Sequence, residues 1–180
     1  DYKEKANFVW TEILNSHYAN GLNVDDFFKL FLRSKFANSE KDYEKYEKNY
    51  HFEIYKNKAL RDYFGNFENP DILYKRVVED LKYFSDTNIK LQTTHVYRYV
   101  VFNRLNKQNQ QNLLILSSLN CNDKNEENKI HAVSKKFDQM HVVFRLLNLY
   151  DSNTFQDYVY HLNTKLRGIQ TEKIYEVFDK

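Results

Sequence analysis

The residues whose types and spacing first suggest chemistry are six histidines, one cysteine and scattered carboxylates. His17, His51, His95, His131, His141 and His161 carry imidazole nitrogens that suit transition metals. A helical zinc site sets two such residues four apart, and no pair here has that spacing. His131 and His141 are ten residues apart, about three helical turns, so a metal would need ligands from separate helices. Cys121 sits among asparagines with no neighbouring histidine and no Gly-x-Ser-x-Gly turn, which reads as an incidental thiol. Phosphate cradles need clustered glycines, and Gly21, Gly65 and Gly168 stand alone. The acidic pairs Asp25-Asp26 and Glu79-Asp80 fall near helix starts, where carboxylates serve caps and the helix dipole. The expectation is therefore no catalytic residue, no metal ligand and no cofactor.

One charge feature stands apart. From Leu91 through Asn122 there is no acidic residue, while Arg98, Arg104 and Lys107, with His95, supply positive charge among tyrosines and amides. Arg98 lies between Tyr97 and Tyr99, and the run Asn106 to Asn112 is rich in side-chain amides, so this segment is the candidate for contact with phosphates of duplex DNA. Three cations are few for a strongly salt-dependent binder, and a plain solvated face is the competing reading. Tyr43, Tyr46 and Tyr50 are expected at the edge of the core rather than as a platform for stacked bases.

The elements that would position these residues read as helices. Residues 4 to 17 bring Phe8, Trp10, Ile13, Leu14 and His17 near one face, ending at Asn20-Gly21. Asn23 or Asp25 caps a second helix, apolar nearly all round through Phe27, Phe28, Leu30, Phe31 and Leu32 and expected to be the most buried, that ends near Phe36-Ala37-Asn38. Ser39 caps a charged helix through Tyr43, Tyr46 and Tyr50, continuing to Gly65 either straight or with a bend near His51. Asn69-Pro70 starts the next, with Asn69 accepting from orphan amides and Leu73, Val77, Leu81 and Phe84 as its buried stripe. Residues 93 to 102 are β-branched and aromatic, which favours a strand locally, yet a lone strand would leave its backbone unpaired, so helix is preferred. A polar hinge at Asn106 to Gln111 precedes Leu113, Leu114, Leu116 and Leu119. The strongest periodicity runs from about Glu126 to Leu149, through Ile130, Val133, Phe137, Met140, Phe144 and Leu147. Ser152 caps a helix carrying Phe155, Val159, Leu162 and Leu166, and Thr171 caps a last one with Ile174, Tyr175 and Phe178.

At 180 residues, with 42% hydrophobic side chains, 15 Tyr and 14 Phe, the chain is long and apolar enough to bury a core, which argues against disorder. Three glycines and one proline are too few for the turns of a sandwich or barrel. The predicted architecture is all-α, an irregular multi-helix bundle of about seven to nine helices in a single domain, 1–180. A net charge of +2 does not suggest a nucleic-acid coat, and no apolar run spans a bilayer. One cysteine excludes an intrachain disulfide and fits a reducing, cytoplasmic setting. The opening Asp1-Tyr2-Lys3-Glu4-Lys5, without an initiator methionine or signal-peptide pattern, suggests a piece of a longer protein.

Several segments, taken in order, carry a family resemblance: Phe8-Val9-Trp10-Thr11-Glu12-Ile13-Leu14, Gly21 through Lys35 with its Phe27-Phe28 and Ser34-Lys35, Tyr43 to Tyr50, and Leu81-Lys82-Tyr83-Phe84. Leu149 to Phe155 and Tyr160 to Asn163 extend it. The chain resembles the helical region of GmrSD-type restriction proteins, a bacterial family with an N-terminal ParB-like NTPase domain and a C-terminal His-Asn-His nuclease. The resemblance implies a non-catalytic helical module of a defence protein, which positions the catalytic domains of the same protein and contacts DNA. Neither catalytic motif of that family has a counterpart here. The alternative is a stand-alone helical protein-protein interaction domain, which an exposed apolar patch around Phe27, Phe28 and Phe31 would favour.

Overall fold

The computed structural model describes residues 2–65 and 69–179, all of whose regular structure is helical. Among the described residues there are ten helices when segments that run on without a break are taken together, slightly more than the seven to nine expected. The chain forms two compact units, one up to Lys90 and one from Leu91. No linker composition marks this division, because it falls inside a helix.

The first unit contains α1 (Tyr2–Ala19), α2 (Val24–Phe36), α3 (Glu40–Lys56), α4 (Lys58–Phe64), α5 (Pro70–Arg76), a π turn (Val77–Leu81) and most of α6 (Lys82–Thr93). The inward face of α1 is Ala6, Val9, Ile13 and His17, spaced three and four apart, while Phe8 and Leu14 are exposed. Small residues at Ala6 and Val9 let neighbouring helices approach closely, so bulk alone misjudges this face. In α2 the Asn23 side chain accepts from the Asp25 amide, as expected of a cap. Phe27, Phe28 and Phe31 are all buried, so no exposed patch exists around them. Phe31 is the hub of the core, with ring centroids of Phe84 at 5.4 Å, Phe27 at 6.1 Å, Phe36 at 6.2 Å and Tyr63 at 6.3 Å.

Ser39 caps α3 by accepting from the Asp42 amide, and the helix bends at Asn49, whose φ of −141° leaves the helical region. A full break comes at Asn57, whose side chain accepts from the Ala59 amide and starts α4. Tyr43 and Tyr46 are buried outright, deeper than the core edge expected of them. Gly65 ends α4 at φ 77° and ψ 152°, a region that essentially only glycine occupies. Pro70 opens α5, but Asn69 makes no side-chain cap. Val77, Leu81 and Phe84 are buried, whereas Leu73 is exposed, because the wider π turn rotates α5 out of register with α6.

The second unit holds α7 (Arg98–Leu105), α8 (Gln111–Ser118), α9 (Glu126–Leu146), α10 (Ser152–Leu166), a 3-10 turn (Thr171–Lys173) and α11 (Ile174–Phe178). Residues 93 to 102 are thus the end of α6, a turn, and the start of α7. The turn is set by Thr94, whose Oγ1 accepts from the Val96 amide at 3.1 Å. Every residue of α8 is buried, so α8 rather than α2 is the most enclosed element. It packs between α9 and α10, while α9 also carries α7 and α11. Along α9 the residues Ile130, Val133, Phe137 and Met140 face inward, but the periodic stripe surfaces at its end, and Leu147 is exposed. Asp151, not Ser152, caps α10, accepting from the Asn153 and Thr154 amides; the side chain of Ser152 lies outside the described residues. Thr171 is the first residue of the 3-10 turn and caps nothing.

Candidate interaction surface

The three cations singled out by the sequence have three different fates. Arg104 is committed to the backbone. Its Nη1 donates to the carbonyls of Leu91 at 3.3 Å and Gln92 at 2.5 Å, and its Nη2 to that of Thr94 at 2.8 Å. These oxygens lie at the C-terminal end of α6, where helix carbonyls have no intrahelical partner and a cation is favoured. Lys107 is exposed at the turn after α7, with a left-handed φ of 59°. Arg98 is exposed at the first turn of α7, its guanidinium 5.4 Å from the Phe102 ring centroid and 5.8 Å from that of Tyr99. Arg98 and Arg104, six residues apart, point about 120° away from one another around α7.

Several other cations are ion-paired. Arg33 meets Glu47 at 2.7 Å, Arg76 meets Asp80 at 2.9 Å, Lys82 meets Asp86 at 2.7 Å and Lys136 meets Asp179 at 2.5 Å. Among the described residues, neither Arg98 nor Lys107 has a carboxylate partner. Glu127, on α9, accepts from the Tyr97 hydroxyl at 3.5 Å.

What shares the face with Arg98 was not visible from charge alone. Phe102 and Leu105 come after it at i+4 and i+7, the spacing that aligns side chains along one side of a helix. Phe102 is 44% and Leu105 is 73% exposed, and Val96 in the preceding turn is 86% exposed. The opposite side of α7 carries Val100 and Asn103, both buried. The outward side of α7 is therefore an exposed apolar stripe with Arg98, which has no carboxylate partner, at its start.

The amide run from Asn106 to Asn112 is divided between the interior and the surface. Gln108, Gln111 and Asn112 are buried. Gln111 Nε2 donates to the Val100 carbonyl at 2.9 Å and its Oε1 accepts from Asn103 at 2.8 Å. Gln108 Nε2 donates to the Tyr150 hydroxyl at 3.0 Å. The Gln111 bonds fasten α7 to α8, so Gln111 is committed to the fold, whereas Asn106, Asn109 and Gln110 are exposed.

The remaining candidate groups are dispersed over the fold. His17 is buried, its Nδ1 within 3.0 Å of the Ile13 carbonyl. His131 packs edge-on against Tyr99, and His95 and His161 are exposed. His141 lies between Tyr150 and Phe155; burial and then the Arg145 charge push its pKa below the ordinary 6.5, with Asp138 opposing. Among the described residues no three histidine, cysteine or acidic side chains gather as a metal site would require. Cys121 is half-buried in the turn after α8. Asp25 accepts from the Tyr50 hydroxyl at 2.5 Å, and burial together with this carboxylate pushes the Tyr50 pKa up to about 12. Asp80 is buried and accepts from both the Tyr63 hydroxyl and Arg76, a structural knot across α4 and α5.

A second exposed apolar region runs along the end of α9, where Val142, Val143, Leu146, Leu147 and Leu149 are each 46% or more exposed. It borders a groove of about 600 Å³ lined by Met140, Val143, Phe144, Tyr158 and Phe178. No described helix is long and apolar enough to cross a membrane. No protein-family model, no curated protein and no solved structure matches this chain.

Proposed function

We propose that this chain is a non-catalytic helical interaction module that binds an anionic partner through the outward side of α7. The observation that carries the reading is Arg98, exposed, without a carboxylate partner and held over the Tyr99 and Phe102 rings beside exposed Leu105 and Val96. An exposed arginine without a carboxylate partner, set beside exposed apolar side chains, favours a partner that supplies the negative charge. Within the arrangement implied by the resemblance to GmrSD-type helical regions, such a module would hold other domains of the same protein in place.

A second reading, contact with duplex DNA, draws on the acid-free stretch from Leu91 to Asn122. It now rests on Arg98, Lys107 and His95, since Arg104 is spent on α6. Amide-resolved NMR titration of the whole chain with polyglutamate and with duplex DNA, at about 50 and 200 mM salt, tests the module. The expected result is salt-sensitive shifts concentrated in residues 95–107 and reduced in Arg98→Gln. Absence of shifts there with both polyanions overturns the reading.

A further inference from the structure

We infer that the partner taken by α7 is an amphipathic helix carrying acidic side chains beside an apolar stripe, an inference that rests on the docking role proposed above. Three features of the face argue for it. Arg98, Phe102 and Leu105 recur at i, i+4 and i+7, which forms a ridge that seats in the groove of another helix. The ridge is apolar at Phe102 and Leu105 and is extended by Val96, all substantially exposed. The charge at its start is Arg98, which has no carboxylate partner, and the sequence has no acid between Leu91 and Asn122.

Charge complementarity selects the occupant. A phosphate backbone would use the cations and leave Phe102, Leu105 and Val96 with nothing apolar to cover, and strong phosphate binding calls for about six to ten such contacts. A neutral apolar helix would cover the stripe and leave Arg98 unpaired at its rim. A second copy of this face would set Arg98 against like charge. A helix with leucine-like residues on one side and glutamates flanking them satisfies both the stripe and the charges. The stacked position of Arg98 prepares it for this role, because the rings restrain its side chain before the carboxylate arrives.

The test uses the whole chain and helical peptides of about 15 residues. One has leucines at i, i+3 and i+4 spacing flanked by glutamates; one replaces the leucines with serine; one replaces the glutamates with lysine. Fluorescence anisotropy is read for each, with duplex DNA alongside, against wild type, Arg98→Gln, and the double variant Phe102→Ser/Leu105→Ser. All three substituted side chains are solvent-facing, and unchanged thermal unfolding verifies that the variants fold. The expected result is that the leucine-glutamate peptide binds, that either substitution set weakens it by about tenfold, and that the serine and lysine peptides bind at least as poorly. If the serine peptide or DNA binds as tightly as the leucine-glutamate peptide, the inference fails and the anionic docking role stands. If neither peptide nor polyanion perturbs α7, that role fails as well.

Discussion

Lys129 Nζ lies 2.8 Å from Asp123 Oδ2, and the two side chains are only 4% and 7% exposed. The ammonium also donates to the Ser118 carbonyl at 2.9 Å, while Asp123 accepts from the amides of Asn120 and Asn125. A single lysine thereby ties the end of α8 and the loop after it to α9. Removing one partner strands a buried charge, so Lys129→Met or Asp123→Asn should each destabilise the chain by about 3–5 kcal/mol, measured by urea unfolding. Burial opposes ionisation of Asp123, but the Lys129 hydrogen bond and the loop amides outweigh it and hold its pKa below the ordinary 3.8. The stabilisation is therefore complete above that value and drains away as pH falls through the lower, folded-state pKa.

Arg104 and Arg98 should separate cleanly in a stability assay. Arg104→Met abandons three carbonyls at the end of α6 and is expected to cost about 1.5–3 kcal/mol, as for hydrogen bonds from a charged donor. Arg98→Gln, on an exposed side chain with only ring contacts, should stay within about 0.5 kcal/mol. Equal losses from the two would refute the division of labour drawn between them.

Acid should weaken the second unit through His141. Its folded-state pKa is depressed by burial and by Arg145, with Asp138 only partly offsetting. Above 6.5 the ring is neutral whether folded or unfolded and no penalty arises. As pH falls below that value the unfolded chain takes up the proton first, so stability declines until the folded-state pKa is passed. Unfolding midpoints at about pH 7.5 and 5.5 should converge in His141→Asn relative to wild type.

Two glycines with similar φ values should respond differently to a methyl group. At Gly21, φ 66°, nothing lies within 4 Å of an added Cβ, so Gly21→Ala should cost only the left-handed backbone penalty of about 1–2 kcal/mol. At Gly65 the Cβ would meet the Asn69 carbonyl oxygen at 2.6 Å and Ile72 Cβ at 2.9 Å. Gly65→Ala should be clearly the more damaging in thermal unfolding, and parity between them would show that the loop yields.

Helical class and the positions of most helices are legible in the sequence because they rest on local rules. Asn23 and Ser39 cap as their types dictate, and the inward spacing of α9 comes from Ile130, Val133 and Phe137. Burial is less legible where polar residues are enclosed. Gln111 reads as a hinge residue, yet it sits inside because Asn103 and the Val100 carbonyl satisfy its amide. The candidate site divides in the same way. Charge identified Arg98, Arg104 and Lys107 together, but only the position of the α6 carbonyls, distant by ten or more residues, distinguishes Arg104 from the others. The apolar half of the face, Phe102 and Leu105, is invisible from periodicity because Val100 and Val101 on the same short helix are as hydrophobic, and packing alone decides which side is out.

The π turn at Val77–Leu81 inserts one residue beyond the number an α-helix would need over that stretch. It acts as a phase shift of about 100° between α5 and α6. That offset is what sets Phe84 against Phe31 and Ser85 within 3.4 Å of His17. Losing a single residue there would restore a regular helix and carry both side chains round to the wrong side. Over this segment residue count is constrained as tightly as residue type: substitutions can be absorbed one at a time, whereas a one-residue deletion misaligns every contact α6 makes with the aromatic core.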